Sequence, residues 1–125
     1  MDQSTLVSAG QALVKALDQA GFSPRMAVWV HNNEIDSWKL WLVPPKGVTD
    51  KHEFYRRVSE IASKHRTEVG SLSASDTEMV LENHPAVQGL GKFLKAPNIE
   101  SVYFSGNRFN NYYLPDGIIL RSNVS

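Results

Sequence analysis

The chain of 125 residues carries 13 basic and 13 acidic side chains, so its formal net charge is zero, and it has no cysteine. Its length fits one domain, predicted to span residues 1–125, and a hydrophobic content of 42% is that of a folded globular protein. The lack of cysteine excludes disulfides, thiolate catalysis and cysteine-based zinc sites, and the balanced charge argues against a protein that binds nucleic acid mainly by neutralising phosphates.

The first predicted element is a helix over residues 4–20. Its apolar side chains recur at helical spacing from Leu6 to Leu17, Ser4 can cap its start, and Gly21 can end it. Glycine and polar residues interrupt the apolar stretch, and no basic segment precedes it. We therefore expect neither a signal peptide nor a membrane span here, and no membrane partner.

A β-hairpin is predicted over residues 25–43, where the segments RMAVWVH and SWKLWLV flank the polar connection NNEID. Both strands are apolar on both faces, so we expect the sheet to be covered twice, or to be covered once and to bind a partner with its other face. The sequence pattern assigns Trp29 and Trp41 to one shared face. That face is a second candidate contact surface, although burial under a helix is the favoured interpretation.

The rest of the chain completes a mixed pattern. A second helix is predicted over residues 50–66 with Thr49 or Asp50 as its N-cap, then a strand over residues 77–83, a short helix opened by Pro85, and two last strands in IESVYFSGN and GIILRS. The order α-β-β-α-β-α-β-β has no repeated β-α-β spacing. It predicts a single α+β domain, with helices packed on one face of a mostly antiparallel sheet of about five strands.

No motif for catalysis or cofactor binding is complete in this sequence. The four histidines lack metal-binding spacing, the GLGK segment lacks the residues that complete a phosphate loop, and no GxSxG element occurs. Asp76, Glu78 and Glu82 are the nearest approach to a nuclease-like carboxylate cluster, and a solvated acidic strand face is the simpler interpretation. We therefore predict no metal, no cofactor and no catalytic residue.

The second helix concentrates positive charge, with five basic and two acidic residues between positions 51 and 66. Such a helix can contact phosphates. The simpler alternative is a solvated outer face, on which Glu53–Arg57 and Glu60–Lys64 form ion pairs one helical turn apart. The candidate nucleic-acid contacts are Lys51, Arg56, Arg57, Lys64 and Arg66.

The segment SGNRFNNYYLPDG, residues 105–117, combines turn residues with aromatic ones. The Asn pair tolerates left-handed backbone and Pro-Asp-Gly is a turn signal, so the geometry of turns explains about half of the residues in this segment. Turns do not require three aromatics and an arginine, which are residue types favoured at protein interfaces. Two interpretations stay open: the rings cap the core, or they contact a partner. The predicted partner-binding residues are Arg108, Phe109, Asn110, Asn111, Tyr112 and Tyr113.

The succession of ALDQAGF, MAVWVHNNEIDSWKLWLVPP, a charged helix and APNIESVYFSGN is similar to the layout of a group of short bacterial α+β proteins. The resemblance covers most of the chain and is one of pattern, without a chemical motif. It implies a bacterial origin and a cytoplasmic location, and it transfers no functional residue to this chain.

These observations favour a small non-enzymatic module that binds another protein, as an adaptor, an inhibitor or an immunity-type factor does. The first alternative is a nucleic-acid-binding accessory protein that uses the basic second helix and the aromatic segment. The second is a nuclease-like or other enzyme whose site is dispersed along the chain, for example over His84, Tyr103 and Arg108. A homo-oligomer is also compatible with the hairpin, because its strands are apolar on both faces.

Overall fold

The computed structural model describes residues 2–124, and the predicted order of helices and strands is confirmed within them. A short extra helix, one 3₁₀ turn (Ala74–Asp76) and an extra β-hairpin are added to that order. The helices are α1 (Gln3–Gln19), α2 (Lys51–Lys64), α3 (Arg66–Val69) and α4 (Pro85–Phe93). The strands are β1 (Met26–Asn32), β2 (Ser37–Val43), β3 (Thr77–Met79), β4 (Val102–Phe104), β5 (Asn107–Phe109), β6 (Tyr112–Leu114) and β7 (Gly117–Ser122).

Five of these strands form one sheet in the order β3-β2-β1-β7-β4, which is antiparallel except for the parallel pair of β2 and β3. The predicted α+β class and the mostly antiparallel five-stranded sheet are therefore confirmed. The other two strands, β5 and β6, form a separate antiparallel hairpin inside the segment that connects β4 to β7. That hairpin extends across a stretch whose sequence predicts turns rather than strands.

One face of the sheet, here called the helix face, is covered by α1, α2 and α3. Trp29 of β1 lies in this layer with 1% of its surface exposed, and its indole N–H donates to the carbonyl of Leu6 at 2.8 Å. Gly10 lets α1 approach closely, because a Cβ there would lie 2.6 Å from both Leu120 Cδ1 and Trp29 Nε1. The core is therefore closed around Trp29, and the one polar atom of this side chain is bonded.

The opposite face, here called the hairpin face, is covered by α4 and the β5–β6 hairpin. Val28 of β1 and Ile119 of β7 contribute to this second core, together with Leu90 of α4 and Phe109 of β5. The expectation of helices on one face thus describes α1, α2 and α3, whereas α4 covers the other face. The physical reason is that the central strands are apolar on both faces, so each face must be removed from water.

Trp29 and Trp41 do not share a face, contrary to the sequence-based assignment. In the antiparallel register Trp29 stands opposite Leu40, and Trp41 stands opposite Val28. Since directly opposed residues point to the same side of a sheet, Trp29 faces the helices and Trp41 faces the hairpin. The assignment was wrong because it depends on which residues the turn brings opposite one another, and a shift of one residue reverses it.

Two of the helices, α1 and α2, begin at carboxylate caps. The side chain of Asp2, not Ser4, caps α1 by accepting from the Thr5 amide at 2.8 Å, so the predicted cap and start are corrected. Asp50, one of the two residues predicted to cap α2, accepts from the Glu53 amide at 3.2 Å. Both carboxylates lie at the positive end of a helix dipole, where negative charge is stabilised.

Arg121 ties the helix face together at its far end. Both of its terminal nitrogens donate to the Asp18 carboxylate at 2.8 Å, and its Nε donates to the Pro97 carbonyl at 3.0 Å. These hydrogen bonds hold the pKa of Asp18 below its usual value. The pair joins the end of α1 to β7 and to the segment before β4, and it is a contact that the sequence pattern did not reveal.

Candidate functional site

An open groove of about 560 Å³ lies on the hairpin face, between the β1–β2 turn and the β5–β6 hairpin. Its floor comes from strands β1, β2 and β3, and one wall comes from β6. We call it the aromatic groove and define it by six of its lining residues: Val30, Lys39, Trp41, Glu78, Tyr112 and Tyr113.

The groove exists because the cover on the hairpin face is short. Lys39 is opposite Val30 and Glu78 is beside Trp41 in the register, so these side chains share the hairpin face. The nine residues of α4 and the two short strands do not extend over this end of the sheet. As a result Trp41 is only half-buried, while Lys39 and Glu78 are exposed.

Three rings form a continuous ridge along the groove. The ring centroid of His84 lies 5.3 Å from that of Trp41 and 4.7 Å from that of Tyr112, and the Trp41 and Tyr112 centroids are 6.5 Å apart. All three pairs meet edge-on, the arrangement that aromatic quadrupoles favour. Because the rings touch one another, they form a contact surface rather than a cage around a cation.

His84 also holds the start of α4. It is the N-cap residue, and its Nδ1 accepts from the Ala86 amide at 3.1 Å, which requires an unprotonated Nδ1. Burial lowers the pKa of His84, and the charge of Glu78 opposes that effect. The sequence analysis placed His84 only in a dispersed catalytic set; its position before Pro85, the first residue of a helix, is the signal that identifies a cap.

The hairpin residues divide between the two interpretations of the aromatic segment. Phe109 is 3% exposed and its ring packs edge-on against Phe104 and Phe93, at centroid distances of 5.1 and 5.3 Å. It is part of the core, so its predicted role as a partner contact is corrected. Tyr112 and Tyr113 are 41% and 53% exposed. Tyr112 stands opposite Phe109 and shares its side of the hairpin at the edge of the cover, whereas Tyr113 stands opposite Arg108 and points to the other side.

The turn of the hairpin accounts for both asparagines. Asn110 and Asn111 have φ values of 54° and 67°, the left-handed backbone that a two-residue hairpin turn of type I′ requires. Their presence is therefore explained by geometry. Arg108 is exposed on β5 directly opposite Tyr113, so these two side chains extend the surface beyond the groove. Of the predicted partner-binding residues, all except Phe109 are exposed, and whether they contact a partner stays a prediction.

A second histidine, His31, lies at the end of β1 beside the groove, but its ring points to the helix face, where its centroid is 4.8 Å from that of Trp38. Its Nε2 lies 2.8 Å from a carboxylate oxygen of Asp36, and its Nδ1 lies 2.6 Å from the Asn33 side-chain oxygen. The hydrogen bond to Asp36 raises the pKa of His31. The pKa values of the two histidines are therefore shifted in opposite directions, that of His31 by a charged partner and that of His84 by burial.

The basic helix α2 uses most of its arginines within the chain. Arg56 bonds to both Glu53 and Glu60, so the predicted pairs of Glu53 with Arg57 and of Glu60 with Lys64 are wrong. One guanidinium group reaches both carboxylates, that of Glu53 three residues back and that of Glu60 four residues on.

The other basic residues do not converge. The guanidinium carbon of Arg57 lies 4.8 Å from the centroid of the Phe22 ring, and Arg66 donates to the carbonyls of Gly70 and Leu72 at 2.6 and 2.7 Å. Lys51 and Lys64 are exposed at opposite ends of α2. The structure therefore spreads these five charges along α2 and the start of α3, with the three arginines already in contact with other groups of the chain.

The carboxylates of the acidic segment separate in the same way. Asp76 accepts from the Ser73 amide at 3.0 Å, and Glu82 pairs with Arg25 at 3.1 Å. Glu78 alone lies in the groove. Between residues 2 and 124, no three His, Asp or Glu side chains are close enough together to hold a metal ion.

The dispersed catalytic set is not brought together either. Tyr103 stands opposite Ile118, whose side chain belongs to the helix face, whereas the His84 ring packs on Trp41 of the hairpin face. Tyr103 and His84 therefore lie on opposite sides of the sheet.

No family model, curated protein or solved structure matches this chain. The bacterial origin implied by the resemblance in layout stays a prediction. None of the helices in residues 2–124 combines the length and the apolar character needed to cross a bilayer.

Proposed function

We propose that this protein is a small non-enzymatic module that binds another protein through the aromatic groove. The observation that carries the proposal is the ridge of Trp41, His84 and Tyr112, continued by the exposed ring of Tyr113. An adaptor, an inhibitor or an immunity-type factor works by such surface contact. The bacterial cytoplasm is its proposed setting, on the resemblance in layout alone.

The ridge has the physical properties of an interface anchor. Tyr and Trp offer large apolar faces together with a polar atom, and they dominate the binding energy of many interfaces. The rings here are already packed edge-on against one another, so little side-chain entropy remains to be lost when a partner binds. The strands beneath them provide a stable support, because β2 is paired on both sides.

The charged groups around the ridge favour contact over catalysis. Lys39 donates to the carbonyl of Ser75, and His84 accepts from the Ala86 amide. Each of these groups is satisfied by a neighbour instead of converging on a shared point in the groove. A polar rim around an aromatic centre is the usual anatomy of a protein interface.

The test is affinity capture from the native host with the wild-type chain and two variants of matched chemistry. We expect the double variant Tyr112→Ala/Tyr113→Ala to lose the captured protein, with affinity lowered about 30-fold or more for a hot-spot loss of 2 kcal/mol. Tyr103→Ala is the control, because Tyr103 is 55% exposed, like Tyr113, but lies away from the groove. Equal capture by all three chains, with unchanged thermal melting, would show that the groove is not the site.

A nuclease-treated sample separates the nucleic-acid alternative. If the captured species depends on nucleic acid and on Lys51, Arg56, Arg57, Lys64 or Arg66, nuclease removes it and its affinity falls steeply with salt. The aromatic groove instead predicts capture that survives nuclease. A second copy of this chain is also a candidate partner, and sedimentation of the purified protein at several concentrations tests for it.

A further inference from the structure

We propose that protonation of His84 opens the aromatic groove, so that mild acid weakens binding at this site. The binding half of this statement rests on the proposed function, since it assumes that the groove is the contact surface. The opening itself is a property of the isolated chain and is measured without a partner.

The first step is the loss of a helix cap. Neutral His84 accepts from the Ala86 amide through Nδ1, and a protonated ring carries an N–H at that atom and cannot accept. Losing an N-cap destabilises the first turn of a helix, and a positive charge at the start of a helix is further opposed by the helix dipole. Protonation therefore acts against the first turn of α4 in two ways.

The second step carries that change to the groove. The His84 ring contacts Trp41 and Tyr112, so displacing it breaks the centre of the ridge. Helix α4 also lies directly on the hairpin: a Cβ on Gly89 would be 2.6 Å from the Phe109 carbonyl carbon and 2.7 Å from the Asn110 nitrogen. A shift of α4 therefore moves the backbone of the hairpin that presents Tyr112.

The charged and titratable neighbours of His84 decide the direction. Of the groups on the adjoining elements, the Glu78 carboxylate favours the protonated ring and the Lys39 amine opposes it. The others are the phenol of Tyr112, the carboxylate of Glu82, which is paired with Arg25, and Lys92 in the last turn of α4.

The direction of the pH effect follows from comparing the pKa of His84 in the closed groove with its pKa in the opened groove. Burial lowers the pKa of His84 in the closed groove, whereas an opened, solvated ring returns towards the ordinary value of about 6.5. The closed form is therefore fully stable above that value, and its stability falls as the pH drops from there through the pKa of the folded state. His31 serves as an internal reference, because its pKa is raised and it titrates at higher pH.

The experiment is a proton NMR titration of the isolated protein between pH 8 and 4.5. We expect the cross-relaxation between the Trp41 and Tyr112 rings to disappear with the midpoint of His84, below about 6.5, and not with the midpoint of His31. In His84→Asn, which keeps a side-chain acceptor at the cap but does not titrate, the ring contacts should persist over the whole range.

Glu78→Gln provides a second variant that does not depend on the cap. Removing this carboxylate removes the charge that favours protonation, so the midpoint of the transition should move to lower pH, while His31→Asn should leave it unchanged. Ring contacts that persist through the titration of His84, or that are lost equally in His84→Asn, would overturn the switch. Either result leaves the capture experiment at neutral pH to decide the proposed function separately.

Discussion

The two faces of the sheet enclose their cores in different ways. On the helix face, the 17 residues of α1 and the 14 of α2 cover most of the sheet, and Trp29 is buried with its indole N–H bonded. On the hairpin face, the nine residues of α4 and one short hairpin leave an end of the sheet open, and Trp41 is half-buried. The two tryptophans, one on each strand of the hairpin β1–β2, thus differ in burial because the covering elements extend over Trp29 but not fully over Trp41.

This difference also implies unequal local stability. A helix of nine residues has little stability of its own in water and depends on its cap and its packing. Helix α4 buries three residues, whereas α1 buries seven. The hairpin face is therefore the part of the molecule expected to open first, and it is the part that carries the exposed rings.

The largest expected effect compares the two tryptophans. Trp29→Ala leaves a cavity in the core and removes the indole hydrogen bond to Leu6, so we expect the free energy of unfolding to fall by about 3–5 kcal/mol. Trp41→Ala removes a ring that is already partly in water, and a loss of about 1–2 kcal/mol is expected. Urea denaturation of both variants measures the difference; equal losses would mean that the hairpin face is packed as completely as the helix face.

An intermediate effect is expected where α4 meets the hairpin. Gly89→Ala places a Cβ against backbone atoms of Phe109 and Asn110, which cannot rotate away, so we expect a loss of about 1–3 kcal/mol despite a gain in helix propensity of about 1 kcal/mol. Gly91→Ala in the same helix is the control, because its nearest neighbour is a methyl group of Val124 that can move. Thermal melting of the pair decides; a Gly89→Ala variant as stable as Gly91→Ala would contradict the close contact.

The smallest expected effect concerns pH. The bonds from Arg121 lower the pKa of Asp18, so the stability they provide is present above the ordinary value of about 3.9 and is lost as the pH falls through the pKa of the folded state. Asp18→Asn should cost about 1–2 kcal/mol at pH 7, a modest figure because the carboxylate is partly exposed, and should flatten the acid limb of the stability curve. Glu34→Gln, exposed in the β1–β2 turn, is the control.

The pH at which each face loses stability gives a further comparison of the two faces. The helix face should weaken near pH 4 and below, through Asp18, whereas the hairpin face should open from about pH 6.5 downwards, through His84. Denaturation curves at pH 7, 5.5 and 3.5 therefore separate two events. A single transition that affects both faces at one pH would show that the sheet couples them completely.

The sequence predicted the elements well where the signal is local. Helical spacing indicated α1 and α2, and the Asn110-Asn111 pair and the Pro-Asp-Gly segment indicated the turns around β6. It also singled out the aromatic segment, residues 105–117. Two residues of this segment, Tyr112 and Tyr113, form part of a groove wall. Whether that groove binds a partner stays a prediction.

What the sequence by itself determined about this protein is therefore its α+β class, its main elements and the presence of unusual aromatic residues, because these depend on residues near one another in the chain. Only the tertiary structure decided that Trp41 and Tyr112 meet at His84 and that Phe109 is core. The physical reason is strand register and the length of the covering elements, since a shift of one residue exchanges the two faces of a strand and a longer α4 would have buried the ridge.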